Sequence, residues 1–195
     1  MPKSTTPTVN DKTAELSKQP SLDEKTTTVA SQTAEKKAEK DDFTVQIKKY
    51  GRIRGIGIKT MATMANIPEK AGKLWLDFVP RMDEVTGAYP GTIGVNVMIT
   101  ENAEDPYQYW AVKPVTNEEA IPAGMEEVVV EGQTYVQVNT KVDQLGEAYA
   151  YVYGEWAKKN PEHKLSWTLP TWEFYPPSYM ETKEVTLCMA LEKKT

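Results

Sequence analysis

The clearest chemistry in this chain is a lone carboxylate set among large aromatic side chains, in the segment Pro170-Thr-Trp-Glu-Phe-Tyr175. Read as a strand, its period of two puts Glu173 and Tyr175 on one face and Trp172 and Phe174 on the other. Neither face then has the character of ordinary wet surface. A carboxylate so placed either reaches solvent at a sheet edge or stands in a cavity, where burial requires a partner. A flat, apolar organic cation would supply that partner, and aromatic rings around it would add cation–π attraction.

Further aromatics belong to the same reading. Leu145, Ala148, Tyr149, Val152, Tyr153 and Trp156 recur at three- and four-residue steps, so one helix face carries two phenols and an indole where aliphatic side chains would pack more simply. Each hydroxyl and indole N–H needs a hydrogen-bond partner if buried. Trp110, in Tyr107-Gln-Tyr-Trp110, and Trp75, on an earlier helix, raise the same question. Any one of these would be core more often than pocket. Together with Glu173 they compose an aromatic box with an acidic floor. Other residues offer less. His163, in the polar stretch Asn-Pro-Glu-His-Lys, has no second ligand at metal spacing and reads as a solvated loop side chain. Gly55-Ile-Gly57 lacks the third glycine of a nucleotide fingerprint, and a close backbone approach explains it better. Cys188 alternates within a strand and reads as a small core residue. No cofactor or metal is expected.

The elements that must position these groups are legible from hydrophobic period. Ile67, Ala71, Leu74, Trp75, Phe78, Val79 and Met82 form one apolar stripe, with Asn66 as N-cap and Pro80 as the stop or kink. The second helix has Asp143 as its cap and Asn160-Pro161 as its stop. Strands are predicted over 45–50 and 52–59 before the first helix, and over 92–99 and 107–115 after it. Four more cover 125–130, 134–140, 169–175 and 185–191. The order strand-strand-helix-strand-strand occurs twice. The fold class is therefore α+β, a duplicated unit whose two helices pack on antiparallel sheet, with the halves side by side and a central cleft between them.

Composition divides the chain of 195 residues. Residues 1–42 contain no Trp, Tyr, Phe, Cys or Gly and read as a disordered polar N-terminal arm. Residues 43–195 hold all five Trp, ten Tyr and three Phe, enough for one domain with a substantial core. No signal peptide or membrane span is apparent, and the lone Cys188 excludes a disulfide framework. The expected location is the cytoplasm. A formal net charge of −5 argues against direct nucleic-acid binding and favours cationic partners.

The motifs Leu74-Trp-Leu-Asp-Phe-Val-Pro-Arg81, Thr92-Ile-Gly-Val-Asn-Val97, Tyr109-Trp-Ala-Val112 and Ile121-Pro-Ala-Gly-Met125 stand in fixed order. They are followed by Gly132 to Val138, Ala150-Tyr-Val-Tyr-Gly-Glu-Trp156 and Trp172-Glu-Phe-Tyr175. In order and spacing they resemble the GyrI-like small-molecule-binding domains, which are similar to the effector-binding domains of multidrug-responsive and arabinose-regulator-type transcription activators. The resemblance spans 43–193. It implies a duplicated α+β fold with a central cleft, and a glutamate at the cleft base that meets lipophilic cations. Glu173 matches that glutamate and Tyr175 a neighbouring pocket position, while Tyr153 and Trp156 fall on the covering helix face. Many relatives carry an aromatic near Asn96, and Phe is usual where Trp172 stands.

Three functions follow as expectations. The first is a stand-alone protein binding lipophilic, cationic small molecules, because 1–42 cannot form a helix-turn-helix. It would act as a sensor, a sequestering protein or the partner of a separate transcription regulator. The second is a hydrolase of electrophilic compounds with Glu173 as general base. The third, ranked last, is inhibition of DNA gyrase by protein contact. The expected ligand-binding set is Glu173, Tyr175, Tyr153, Trp156, Trp110, Trp75, Tyr149 and Asn96.

Overall fold

Two short interruptions in hydrophobic patterning set the architecture. Strand β1 (Val45–Tyr50) runs into β2 (Ile53–Ala62) with only Gly51 and Arg52 between them. Likewise β5 (Glu126–Val130) runs into β6 (Gln133–Lys141) across Glu131 and Gly132. Neither pair folds back as a hairpin. Instead β1 pairs with β6 and β2 with β5 in one unbroken antiparallel register, from Val45↔Val138 to Gly57↔Glu126. The computed structural model describes residues 43–100, 102, 104–116 and 118–193. The expectation of an arm over 1–42 lies outside the described residues.

The remaining strands are β3 (Thr92–Val97), β4 (Tyr107–Val115), β7 (Thr171–Tyr175) and β8 (Glu184–Ala190). All join one eight-stranded antiparallel sheet in the order β1-β6-β8-β7-β3-β4-β2-β5. The order is symmetric about the β7–β3 pair, which confirms the duplication. It also corrects the simple picture of halves side by side. Each half lends its first strand to the other: β1 sits beside β6 and β5 beside β2. Because β1 continues into β2 and β5 into β6, one ribbon ties the two ends of the sheet together and curls it. Side chains on the concave face, from Ile93, Val95, Trp110, Val112, Val128, Tyr135, Trp172 and Cys188, accordingly pack as a single cluster. The paired glycines serve this curvature. A Cβ on Gly57 would stand 2.0 Å from the carbonyl oxygen of Ala111 on the adjoining strand, the close approach expected from sequence.

Helices α1 (Ile67–Phe78) and α2 (Leu145–Tyr151) cover the other face. Helix α1 packs on β2 and β4 through Leu74 and Phe78, and α2 on β6 and β8 through Ala148 and the Val152 that follows it. Pro80 ends α1 as expected, and the chain continues as a 3-10 turn over Val79–Glu84. The caps differ from expectation. Asn66 stands at the cap position, but its Oδ1 accepts from the backbone N–H of Thr63 at 2.8 Å. Asp143 lies in a 3-10 turn, and Gln144 occupies the cap of α2. Beyond Tyr151 the second helix widens into a π-helical turn, Val152–Trp156, before a last α-helical turn at Ala157–Lys159. Among the described residues no helix is long and apolar enough to cross a membrane.

Candidate ligand-binding site

Because each helix sits over its own half, the central strands β7 and β3 lie between them, and the middle of β7 is Glu173. Alternation turns Glu173 and Tyr175 to the helix face, as predicted, and sends Trp172 and Phe174 to the concave face with the cluster there. Glu173 is 5% exposed. Its register partner on β3 is Gly94, and a Cβ at that position would lie 2.9 Å from Glu173 Oε2 and 2.5 Å from the Tyr109 hydroxyl. Glycine here is a space requirement for the carboxylate and the phenol beside it.

Three phenols surround the carboxylate. Tyr175 donates to Oε2 at 2.7 Å, Tyr109 donates to the same oxygen at 3.2 Å, and Tyr149 donates to Oε1 at 2.9 Å. A second layer steadies them. Trp75 Nε1 donates to the Tyr109 hydroxyl at 3.0 Å, and Asn96 Nδ2 to the Tyr149 hydroxyl at 3.1 Å. Trp75 also meets Tyr175 edge to face at 5.3 Å. Dipoles are thus supplied in number, but no ion pair among the described residues involves Glu173.

Burial pushes the Glu173 carboxyl above its ordinary value, while hydrogen bonds from Tyr175, Tyr149, Tyr109 and Asn96 pull it partly back. Desolvation, and after it the negative charge of Glu173, hold the phenols of Tyr109, Tyr149 and Tyr175 well above the ordinary tyrosine range. Tyr107, buried nearby, is pushed up to about 12 by the same two causes. These phenols remain protonated donors at physiological pH.

The expected residues divide. Glu173, Tyr175, Tyr149, Asn96 and Trp75 come together. Tyr153 stands one step away, stacked on Tyr149 at 6.5 Å and on Trp167 at 4.5 Å. Trp110 does not belong: it faces the concave side, where its Nε1 donates to Gln108 and Lys59 lies over its ring. Its expected role fails because adjacent strand residues point to opposite faces, and Tyr109 holds the site face. Trp156 packs in the core under α2 and stacks on His163 at 6.0 Å. That contact also makes His163 a part-buried side chain rather than a solvated one. Cys188 is buried core as expected, its thiol pushed up to about 12. Sequence reasoning missed Tyr109 and Trp167. The alternation Tyr107, Tyr109, Ala111 would have found the first, but nothing local announces the second. No group of three or more His, Cys, Asp or Glu side chains among the described residues is placed to hold a metal ion.

Comparison with known proteins gives the family and the fold. The family model described as Cass2, integron-associated effector binding protein, matches residues 39–190. The sequence matches no curated protein. An integron cassette protein from the mobile metagenome of Vibrio cholerae is similar in fold, with a TM-score of 0.58 at 15% identity. The match covers 76% of this chain and 95% of that one. The protein SAV2435, solved bound to tetraphenylphosphonium, superposes with a TM-score of 0.57 at 11% identity, covering 76% and 94%. The C-terminal domain of EcmrR superposes with a TM-score of 0.51 at 14% identity, covering 78% and 99%. These identities speak for the fold alone.

Proposed function

The chain belongs to the Cass2 family of integron-associated effector-binding proteins, and we propose that its Glu173 site captures lipophilic organic cations. The observation that carries this reading is a buried carboxylate with three phenolic donors and no cationic partner among the described residues. An ionised carboxylate removed from water without a counter-charge is costly, and dipoles offset only part of that cost. A ligand cation supplies the missing charge, and the rings of Tyr149, Tyr175 and Trp75 supply cation–π and apolar contact. The two carboxylate oxygens are held unequally. Oε2 has two strand phenols, whereas the phenol on Oε1 is Tyr149, carried on α2. Rotation of Tyr149 away from Oε1 would open the carboxylate towards the Tyr153–Trp167 stack, whose outer ring is half exposed. SAV2435, of the same fold, was solved with an aromatic phosphonium cation, which supports the ligand class. The likeness to the C-terminal domain of EcmrR, a protein solved in complex with DNA, supports action as an effector-binding unit beside a DNA-binding protein.

The test is calorimetric titration of tetraphenylphosphonium beside neutral triphenylphosphine oxide. Glu173→Gln is expected to weaken the cation by about tenfold or more, roughly 1.4 kcal/mol, while changing the neutral compound little. Equal weakening of both would remove the charge role. Mass spectrometry of the recovered ligand, returned unchanged, would separate capture from turnover.

A further inference from the structure

The concave face, opposite the carboxylate, carries a second opening. A groove of about 590 Å³ runs over it, flanked by the rings of Tyr50, Trp172 and Phe174 and by Lys48, Arg52 and Arg54. Its volume falls in the range of small-molecule sites. The charge of its wall is opposite to that of the protein. The chain has 28 acidic and 23 basic residues, yet the described lining contains three cationic side chains and no carboxylate. Not all three are available. Arg54 donates to Glu127 at 2.7 Å and to the carbonyls of Thr116 and Glu119, and Arg52 lies 3.6 Å from Glu131. Lys48 enters no ion pair among the described residues.

The floor of the groove is aromatic and fixed. Trp172, which lines it, is 4% exposed, and its Nε1 is buried towards the Tyr135 hydroxyl in the same cluster, away from the opening. Tyr50 meets the Trp172 ring edge to face at 4.9 Å, and its own hydroxyl donates to Gln137 Oε1. The aromatic floor is therefore held, while the lysine remains unspent.

We propose that this groove is a second binding site, for a flat aromatic carboxylate. The ring would lie against Tyr50 and Phe174, and the carboxylate would accept from Lys48. The site is independent of the cation site: β7 presents Trp172 and Phe174 to one face and Glu173 and Tyr175 to the other.

The experiment is titration of 2-naphthoate and of neutral 2-naphthamide into the full chain, read by calorimetry and by tryptophan fluorescence. The acid is expected to bind at least tenfold more tightly than the amide. Lys48→Gln, at an exposed edge-strand position, should remove most of that preference. Glu173→Gln should leave 2-naphthoate binding unchanged. Equal affinity for acid and amide, or binding indifferent to Lys48→Gln, would overturn the proposal. So would loss of 2-naphthoate in Glu173→Gln, which would put the probe at the other site. Tetraphenylphosphonium titrated into Lys48→Gln reads the first site separately, so the two assignments can fail independently.

Discussion

Glu173 is buried with no cationic partner among the described residues, and that burial governs its response to pH. Its carboxyl is raised in the folded protein by burial, so the folded state prefers the protonated form. That preference contributes stability below the unfolded value of about 4.5, and the contribution is lost as pH rises through the raised folded value. Glu173→Gln should therefore melt higher than the parent at neutral pH, and the gain should vanish below about pH 4.5, as a series of thermal melts would show. Cation binding should follow the opposite course and strengthen with rising pH, because the carboxylate must be ionised; a flat pH profile in calorimetry would count against it. Gly94 is the companion test. With the Tyr109 hydroxyl 2.5 Å from where a Cβ would stand, Gly94→Ala should cost about 1–3 kcal/mol of stability in denaturant unfolding and disable the site together.

Strand β7 is the element on which both proposed sites depend, since five residues with a period of two feed opposite faces. Its boundaries, and those of most strands, follow from alternation and lie within a few residues of expectation: 45–50 and 107–115 agree outright with Val45–Tyr50 and Tyr107–Val115. Face assignment was legible only where a functional residue identified the face, as Glu173 did in β7. Strand β4 carries no such marker, and the structure puts Tyr109 rather than the expected Trp110 on the face of Glu173. The π-helical turn at Val152–Trp156 was not legible, because the three- and four-residue spacing of its apolar residues also fits an α-helix. That wider turn rotates Trp156 into the core under α2, while Tyr149 stays over the carboxylate. Helix α1 offers a control substitution. A Cβ on Gly72 would meet nothing within 4 Å, so Gly72→Ala should stabilise the fold by about 0.5–1 kcal/mol and leave cation affinity unchanged.

The exchange of first strands makes the two halves one folding unit. Without β5, strand β2 would lose one of its two neighbours, and without β6, strand β1 would lose its one strand partner among the described residues. An isolated half ending in the segment between β4 and β5 should therefore lack a cooperative melt by circular dichroism. Co-expression of the two halves should restore it. A half that folds alone would mean that the ribbon is dispensable. The same ribbon curls the sheet and so creates the concave groove, while the helices on the outer face frame the carboxylate.

Local physics was sufficient to read the elements, the duplication, the central glutamate and the aromatic character of its surroundings. Periodicity, caps and the aversion of an apolar-flanked carboxylate to burial without a partner are properties of neighbouring residues. Three facts depended on tertiary structure: that β1 and β5 change partners, that Tyr109 rather than Trp110 meets Glu173, and that a cationic groove lies behind it. Each rests on contacts between residues many tens of positions apart, such as Tyr109 with Glu173 or Tyr50 with Gln137. No local period encodes such contacts, because strand pairing is decided by which arrangement of the assembled sheet buries all its faces at once.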